Sequence, residues 1–268
     1  MPELPEVETI KKGLEKFILN KSIKKVKVSE PRIVKSPGLK EFKRQLRGKT
    51  FQKIIRKGKY LIFQVSSRKF LIIHLKLTGR LIYGQNDIKS RLNFLLSDNN
   101  YLNLNSRRLF TEVRLAADYK KFPGIAKLGF EPLSEDFSLD AFSRGIKNTK
   151  RKIKIILMDQ TFIAGIGNIY AQEALFQAKI DPRREACSLN KQQVKKLHLA
   201  LKKILKDAVK YRGSSVNNYT DSRGEKGSFH LRLKVYGRRG EKCFSCGTSL
   251  KRISLEGRTT CFCPKCQK

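Results

Sequence analysis

Tyr60-Leu61-Ile62-Phe63-Gln64-Val65, then Ser66-Ser67-Arg68-Lys69, then Phe70-Leu71-Ile72-Ile73-His74-Leu75 is the stretch on which the fold turns. Each six-residue run is apolar, rich in aromatic and β-branched side chains, and too short for a helix, so each reads as a strand with polar residues between them. Outward from it the same short period recurs at Ile23, Val26 and Val28, at Phe51, Ile54 and Ile55, and over 81–83, 92–96 and 101–104, with Gly, Asn, Asp and Ser at the breaks. Residues 23–104 are therefore expected to form a mostly antiparallel β-sandwich or barrel. Toward the N-terminus the period lengthens. Val7, Ile10, Leu14, Phe17 and Ile18 mark one face of a helix, and Pro5 suits its first turn, which leaves Pro2 and Glu3 just ahead of it.

Toward the C-terminus, 129–138, with Pro132 and several acids, reads as a linker. Helical patterns follow over 150–158, with Ile153, Ile156 and Leu157 on one face, over 168–179, and over 190–212, with Val194, Leu197, Leu201, Leu205 and Ala208 inward and Gly213 as the stop. The outer face of the last helix, with Lys195, Lys202, Lys203, Lys206 and Lys210, reads as solvated surface. From 229 a short β-rich segment carries most of the cysteines. The expected class is α+β, with a β-sandwich domain and flanking helix over 1–130, a linker and helical domain over 131–228, and a cysteine hairpin over 229–268.

Fifty-nine Lys and Arg against 23 Asp and Glu give the 268-residue chain a formal charge of +36. Biased composition contributes to that excess, but its sign calls for a polyanionic partner such as nucleic acid. An uncharged apolar run of ~18 residues, the least a membrane span needs, is lacking. The opening Met1-Pro2-Glu3-Leu4-Pro5-Glu6 has acids and prolines where a secretory signal has a basic and then a hydrophobic stretch. A cytoplasmic location is expected, and Cys-x-x-Cys usage fits a reducing compartment.

Cys243-x-x-Cys246, sixteen residues, and Cys263-x-x-Cys266 have the spacing of a tetrahedral four-thiolate site, with Gly247 and Pro264 supplying turns. Cys261 competes with Cys263, but only Cys263 keeps the two-residue gap to Cys266. A closed four-cysteine site has no open coordination position, so one structural Zn2+ is expected, folding a hairpin rather than activating water. Arg258, near the expected hairpin tip, could grip phosphate. In Gly165-Ile166-Gly167-Asn168-Ile169-Tyr170 two glycines permit a tight turn, and Asn168 can cap the next helix with amides aimed at an anion. Most such turns are only turns. Lys154 would be a second phosphate partner. At the other end, removal of Met1, usual before a small residue, would expose the secondary amine of Pro2. An α-amine titrates at ~7.7–8.0 against ~10.4 for lysine. Attack of that amine on a sugar C1′ would give an iminium, and Glu3 could move protons on and off the sugar. On the residues alone, this stretch is equally a plain helix entry.

Met1-Pro2-Glu3-Leu4-Pro5-Glu6-Val7-Glu8-Thr9 resembles the opening of formamidopyrimidine-DNA glycosylases. The resemblance continues, in order, through Gly58-Lys59-Tyr60-Leu61, His74-Leu75-Lys76-Leu77-Thr78-Gly79, Leu157-Met158-Asp159, 165–170, Val235-Tyr236-Gly237-Arg238 and the cysteine hairpin. It implies a β-sandwich, a helix-two-turn-helix domain holding Asn168, and a zinc-bound hairpin. It implies an enzyme of base excision repair that removes oxidised purines (8-oxoguanine, formamidopyrimidines) from damaged double-stranded DNA and cuts the strand by β,δ-elimination, acting as a monomer. Pro2 would be the nucleophile, Glu3 the general acid/base, and Lys59 a phosphate contact that assists catalysis. Arg258 would complete the catalytic set from the zinc hairpin, holding phosphate beside the lesion. Glu6 would order the site, and Asn168 and Lys154 would hold flanking phosphates. His74 could touch the backbone, although a lone histidine on an apolar strand is otherwise a core residue. In this family three side chains fill the gap left by the flipped base, whose extrusion costs a few kcal/mol. Leu77 stands where methionine is usual, and Arg107 matches the inserted arginine. The family reads Asp-x-Arg-Arg/Lys-Phe-Gly where this chain has Asn105-Ser106-Arg107-Arg108-Leu109-Phe110, so either Leu109 or Phe110 is the third. The stretch 217–227 matches a mobile loop over the flipped base, or else is a surface linker.

Three other readings compete. Endonuclease VIII-type relatives, which favour oxidised pyrimidines, usually begin Met-Pro-Glu-Gly-Pro, whereas this chain has Leu4 and then Val7-Glu8-Thr9. A non-catalytic zinc-containing DNA-binding protein would be free to lose Pro2, Glu3 or Lys59. A zinc-ribbon RNA-binding protein leaves the N-terminal motif unexplained.

Overall fold

The apolar stripe at the N-terminus becomes α1 (Leu4–Ile18), which buries Leu4, Val7, Ile10, Leu14 and Ile18, with Pro5 in its first turn. The computed structural model describes residues 1–216 and 218–268. After α1 come β1 (Ile23–Val28), β2 (Val34–Ser36), α2 (Leu39–Leu46), β3 (Phe51–Lys57), β4 (Tyr60–Val65), β5 (Lys69–His74), β6 (Gly79–Gly84), β7 (Leu92–Leu96), β8 (Tyr101–Ser106), β9 (Glu112–Ala116) and the short α3 (Pro123–Ala126). The strands form two sheets, ordered β1-β7-β8-β6 and β2-β9-β5-β4-β3, antiparallel except for β2 with β9. Between them Val7, Ile10 and Leu14 of α1 share a core with Phe51, Phe63, Leu71, Ile73 and Phe94. The runs that looked uniformly apolar are buried on both faces: Ile62 and Ile72, paired across β4 and β5, are also buried but lie outside that core cluster.

Alternation of inward and outward residues fails where the ladder does. Register shifts between Ile23 and Lys25 and between Phe51 and Lys53. A bulge adds one residue to one strand, so the buried positions fall three apart, at Ile23 and Val26 and at Phe51 and Ile54, with two polar residues outward between them. The strand period hid α2, which has only Phe42 and Leu46 to bury.

The remaining elements are α4 (Leu139–Lys147), α5 (Ile153–Met158), α6 (Asn168–Gln177), α7 (Lys191–Lys210), β10 (Lys251–Leu255) and β11 (Arg258–Phe262). Residues 129–138 are not a free linker. Gly129 N–H donates to the Gln160 carbonyl at 2.9 Å and Phe130 N–H to that of Phe162 at 2.9 Å, while Phe137 is fully buried against Phe142 and His198.

Contacts gather the chain into two units, Met1–Ala126 with Tyr211–His230, and Lys127–Lys210 with Leu231–Lys268. The physical reason lies in buried polar ties. In the first unit Ser214 N–H donates to Glu6 Oε1 at 2.8 Å and Tyr83 N–H to the Ser222 carbonyl at 2.9 Å. In the second, the Glu173 carboxylate accepts N–H bonds from Lys234, Val235 and Tyr236 at 2.8, 3.0 and 2.8 Å, which fastens the cysteine segment to α6. No helix among the described residues is long and apolar enough to cross a membrane.

Candidate active site and nucleic-acid contacts

Chemistry concentrates at the head of α1. Pro2 is buried and Glu3 is 3% exposed. Glu3 N–H donates to Glu6 Oε2 at 2.8 Å, one half of a capping box between the two acids. With its other oxygen on Ser214, Glu6 is held at both ends. Gly213, at φ +78°, leaves room for it, because a Cβ there would lie 2.8 Å from Glu6 Oε1. Burial lowers the α-amine of Met1, the residue ahead of Pro2, below its ordinary 8.0, although the carboxylates of Glu3 and Glu6 pull the other way, and the charge of Lys59 lowers it further. Lys59, 7% exposed, stands in the two-residue turn joining β3 to β4, after Gly58 at φ +53°. Arg56 braces that turn against α1: its Nε donates to Glu8 Oε2 at 2.7 Å and its Nη1 to the Gly58 carbonyl at 3.1 Å.

A second group lies on two neighbouring turns. Gly79 of β6 pairs with Ser106 of β8. The turn 76–78 and the loop 107–111 are joined by Arg108 N–H to Thr78 Oγ1 at 3.3 Å and by Thr111 Oγ1 to the Leu75 carbonyl at 3.2 Å. From this platform Leu77 is 45% and Phe110 56% exposed, and Arg107 is exposed beside them. Leu109 is half-buried with φ +56°. His74 Nδ1 accepts from Lys76 N–H at 3.0 Å, and its ring meets Tyr60 edge-on at 4.6 Å. Burial first, then the charges of Lys76 and Lys59, push its pKa down to about 3. The ring is therefore neutral near pH 7 with its proton on Nε2, free to act as a donor without bringing charge.

In the second unit Arg258 is exposed at the start of β11, just past the turn residues Glu256 and Gly257 at φ +45° and +71°. Gly167, not Asn168, is the N-cap of α6, so the expected cap is corrected. As the first helical residue, Asn168 turns its Nδ2 to the Thr259 carbonyl at 3.0 Å. Lys154, expected on phosphate, is 0% exposed and donates to Thr260 Oγ1 at 2.7 Å. The four sulfurs of Cys243, Cys246, Cys263 and Cys266 lie within 4.8 Å of one another, with pairs at 3.9 and 3.5 Å. A tetrahedron with Zn–S bonds of ~2.3 Å has edges of about 3.8 Å, so the donors fit zinc. Cys261 stands apart, its N–H on Gln172 Oε1 at 2.7 Å.

Three family models match: the formamidopyrimidine-DNA glycosylase N-terminal domain at residues 1–113, its H2TH domain at 128–220, and the zinc finger found in FPG and IleRS at 240–268. The chain is 42% identical over 272 residues to the formamidopyrimidine-DNA glycosylase of Desulfitobacterium hafniense, covering 100% of both chains. The chain belongs to the formamidopyrimidine-DNA glycosylase family. Its identity to the Halalkalibacterium halodurans glycosylase is 40%, over 100% of both chains. A crystal structure of a Lactococcus lactis FPG variant with Fapy-dG containing DNA superposes at TM-score 0.93, 37% identity and full coverage of both chains. The MutM (FPG) protein of Thermus thermophilus superposes at 0.90, 35% identity, covering 99% and 98%.

The protein is thus a DNA-binding enzyme of base excision repair, a DNA glycosylase with AP lyase activity, and carries one structural zinc. Pro2, Glu3, Glu6 and Lys59, which the sequence groups together, also share one place in the fold. Arg56 and Gln172 escaped the sequence reading, because their partners lie 48 and 89 residues away and leave no local periodic signal. The loop expected at 217–227 begins on Asn217, which lies outside the described residues. From Tyr219 onward the loop is tied down: the Tyr219 hydroxyl donates to the Glu6 carbonyl at 3.4 Å and the Arg223 guanidinium lies 5.1 Å from the Phe17 ring.

Proposed function

We infer that this glycosylase excises oxidised purines with the amine of Pro2 as nucleophile. The observation that carries this reading is a buried Pro2 beside the buried carboxylate of Glu3 at the head of α1, with Lys59 close by. Once Met1 is gone, the proline nitrogen lone pair attacks C1′ of the flipped nucleotide, the glycosidic bond breaks, and the base leaves with its electron pair and a proton. Glu3 supplies and takes protons at the sugar. The proline nitrogen sheds its proton, the C1′–O4′ bond opens with O4′ taking a proton, and the nitrogen lone pair completes an iminium at C1′ that draws electrons from the C2′–H bond. Loss of that proton expels the 3′ phosphate, and a second elimination expels the 5′ phosphate, leaving a one-nucleotide gap. Lys59, held by the turn that Arg56 braces, serves as a cation for phosphate.

Leu77, Arg107 and Phe110 fill the vacated space in this reading. Phe110 takes the third place because it is solvent-exposed, whereas Leu109 is half-buried. His74 donates from Nε2 to the DNA backbone as a neutral group. Arg258 and Asn168 hold phosphates from the second unit, and Lys154 is a positioning residue that fixes β11 through Thr260. The chain works as a monomer in the cytoplasm. Duplex oligonucleotides carrying 8-oxoguanine, a formamidopyrimidine or an oxidised pyrimidine test the substrate class. Excision of the first two ahead of the third supports it, and the reverse order assigns the enzyme to pyrimidines.

A further inference from the structure

We propose that the face built from β1 and α2 is a second DNA-binding site, which holds a duplex segment other than the one being repaired. Lys24, Lys25, Val26, Lys43, Arg44 and Arg47 line a groove of about 630 Å³ there. Two features of the fold assemble it. The β1 bulge turns Lys24 and Lys25 outward together, and α2 buries Phe42 and Leu46 while leaving Arg44 and, at its C-cap, Arg47 exposed. Glu41, the acid of α2, is taken up by Arg44. Lys24 Nζ rests on a neutral oxygen, Asn99 Oδ1, at 2.9 Å. Lys24, Lys25, Lys43 and Arg47 have no carboxylate within ion-pair distance among the described residues. Four uncompensated cations therefore face one concavity.

These charges do not serve the active site. α1 has its head at Glu3 and its far end at Ile18, just before β1, and its 15 residues put about 22 Å between the two places. A helix of that length exceeds two Debye lengths at physiological salt, where the screening length is about 8 Å, so charges at its far end are largely screened from the catalytic amine. Its lining has no aromatic side chain, which unpaired bases would need for stacking. A strip of cations without a stacking surface fits the regular phosphates of a duplex. A repair enzyme meets that polyanion in excess, and holding a second segment would let it pass from one stretch of DNA to another without release.

The test is made on enzyme whose active site is already filled. The full chain is trapped on a short lesion duplex with borohydride, the covalent complex is purified, and a labelled undamaged duplex is added. Trapping yield is read separately, so failure of the proposed nucleophile is distinct from failure of the second site; in that event the same assay is run on enzyme immobilised with an excess of a tetrahydrofuran abasic-site duplex. One labelled duplex should bind per complex. In the K24A/K25A/R47A variant the slope of log affinity against log salt should be shallower by about 2.7, at about 0.9 for each phosphate that is no longer neutralised. Between 50 and 200 mM salt the parent should therefore lose about 40-fold more affinity than the variant. Excision of the first duplex should be unchanged. No second duplex on the parent, equal slopes in parent and variant, or tighter binding of unpaired RNA than of duplex DNA would each overturn the proposal.

Discussion

Replacing Phe110 by Ala should impair excision from duplex DNA far more than replacing Leu109. Phe110 leaves 56% of its surface to solvent, which for a side chain of about 200 Å² is about 110 Å² available to enter the base stack. At about 25 cal/mol per Å² its insertion contributes about 2.8 kcal/mol, or about 100-fold in rate if all of it is gained on flipping. Leu109 offers a contrast. Its φ of +56° costs a leucine about 1–2 kcal/mol, a strain that glycine does not carry, while glycine gives up some packing. Leu109→Gly should hence stay within about 1 kcal/mol of the parent in stability, with excision within about threefold. The assay is single-turnover excision of 8-oxoguanine from duplex and from single-stranded DNA, the single strand having no stack to refill. A large loss in Leu109→Gly with Phe110→Ala unaffected, or an equal Phe110→Ala loss on both substrates, would refute the reasoning.

Cys266→Ser should lose zinc together with DNA binding, because the hairpin carrying Arg258 has a core of only a few residues, among them Val235, Leu250 and two of the cysteines; Cys261→Ser should keep zinc, as metal analysis would show. Glu173→Gln should leave three backbone N–H donors, that of Val235 buried, facing one carbonyl oxygen and cost about 1–3 kcal/mol, seen as a lower thermal midpoint with zinc retained. Arg258→Ala should make the salt dependence of lesion binding shallower by about 0.9, whereas His74→Gln, which removes a neutral donor, should weaken binding without changing the slope. The His74 pKa is depressed to about 3 from an ordinary 6.5, so below pH 6.5 the unfolded chain binds a proton that the folded one refuses. That stability is complete above pH 6.5 and drains away as pH falls toward 3; the loss of denaturation midpoint from pH 7 to pH 5 should be smaller in His74→Gln than in the parent.

The sandwich was legible because β-branched and aromatic runs of six residues admit few other structures, and the zinc site because thiolate spacing is nearly a geometry in itself. What escaped the sequence did so for identifiable reasons. α2 offers only two buried residues, too few to set a period. The attachment of 211–230 to the first unit depends on Glu6 reaching Ser214, 208 residues away. Asn168 looked like a cap because its residue type favours one, but Gly167 holds that position and the amide is drawn instead to Thr259. Lys154 was expected to hold a flanking phosphate, and its full burial and its hydrogen bond to Thr260 left no mark in so basic a sequence. The choice between Leu109 and Phe110 could not be read from their types; the proposal of Phe110 draws on exposure and backbone conformation, which the sequence does not display.

The identity of the nucleophile is tested most directly by adding borohydride during turnover on an 8-oxoguanine duplex and mapping the protein–DNA adduct by peptide mass spectrometry. The account predicts a reduced adduct on the N-terminal peptide at Pro2 with Met1 absent, and no adduct when the terminal amine is acetylated beforehand. An adduct on the peptide containing Lys59, or full excision by the acetylated enzyme, would contradict it.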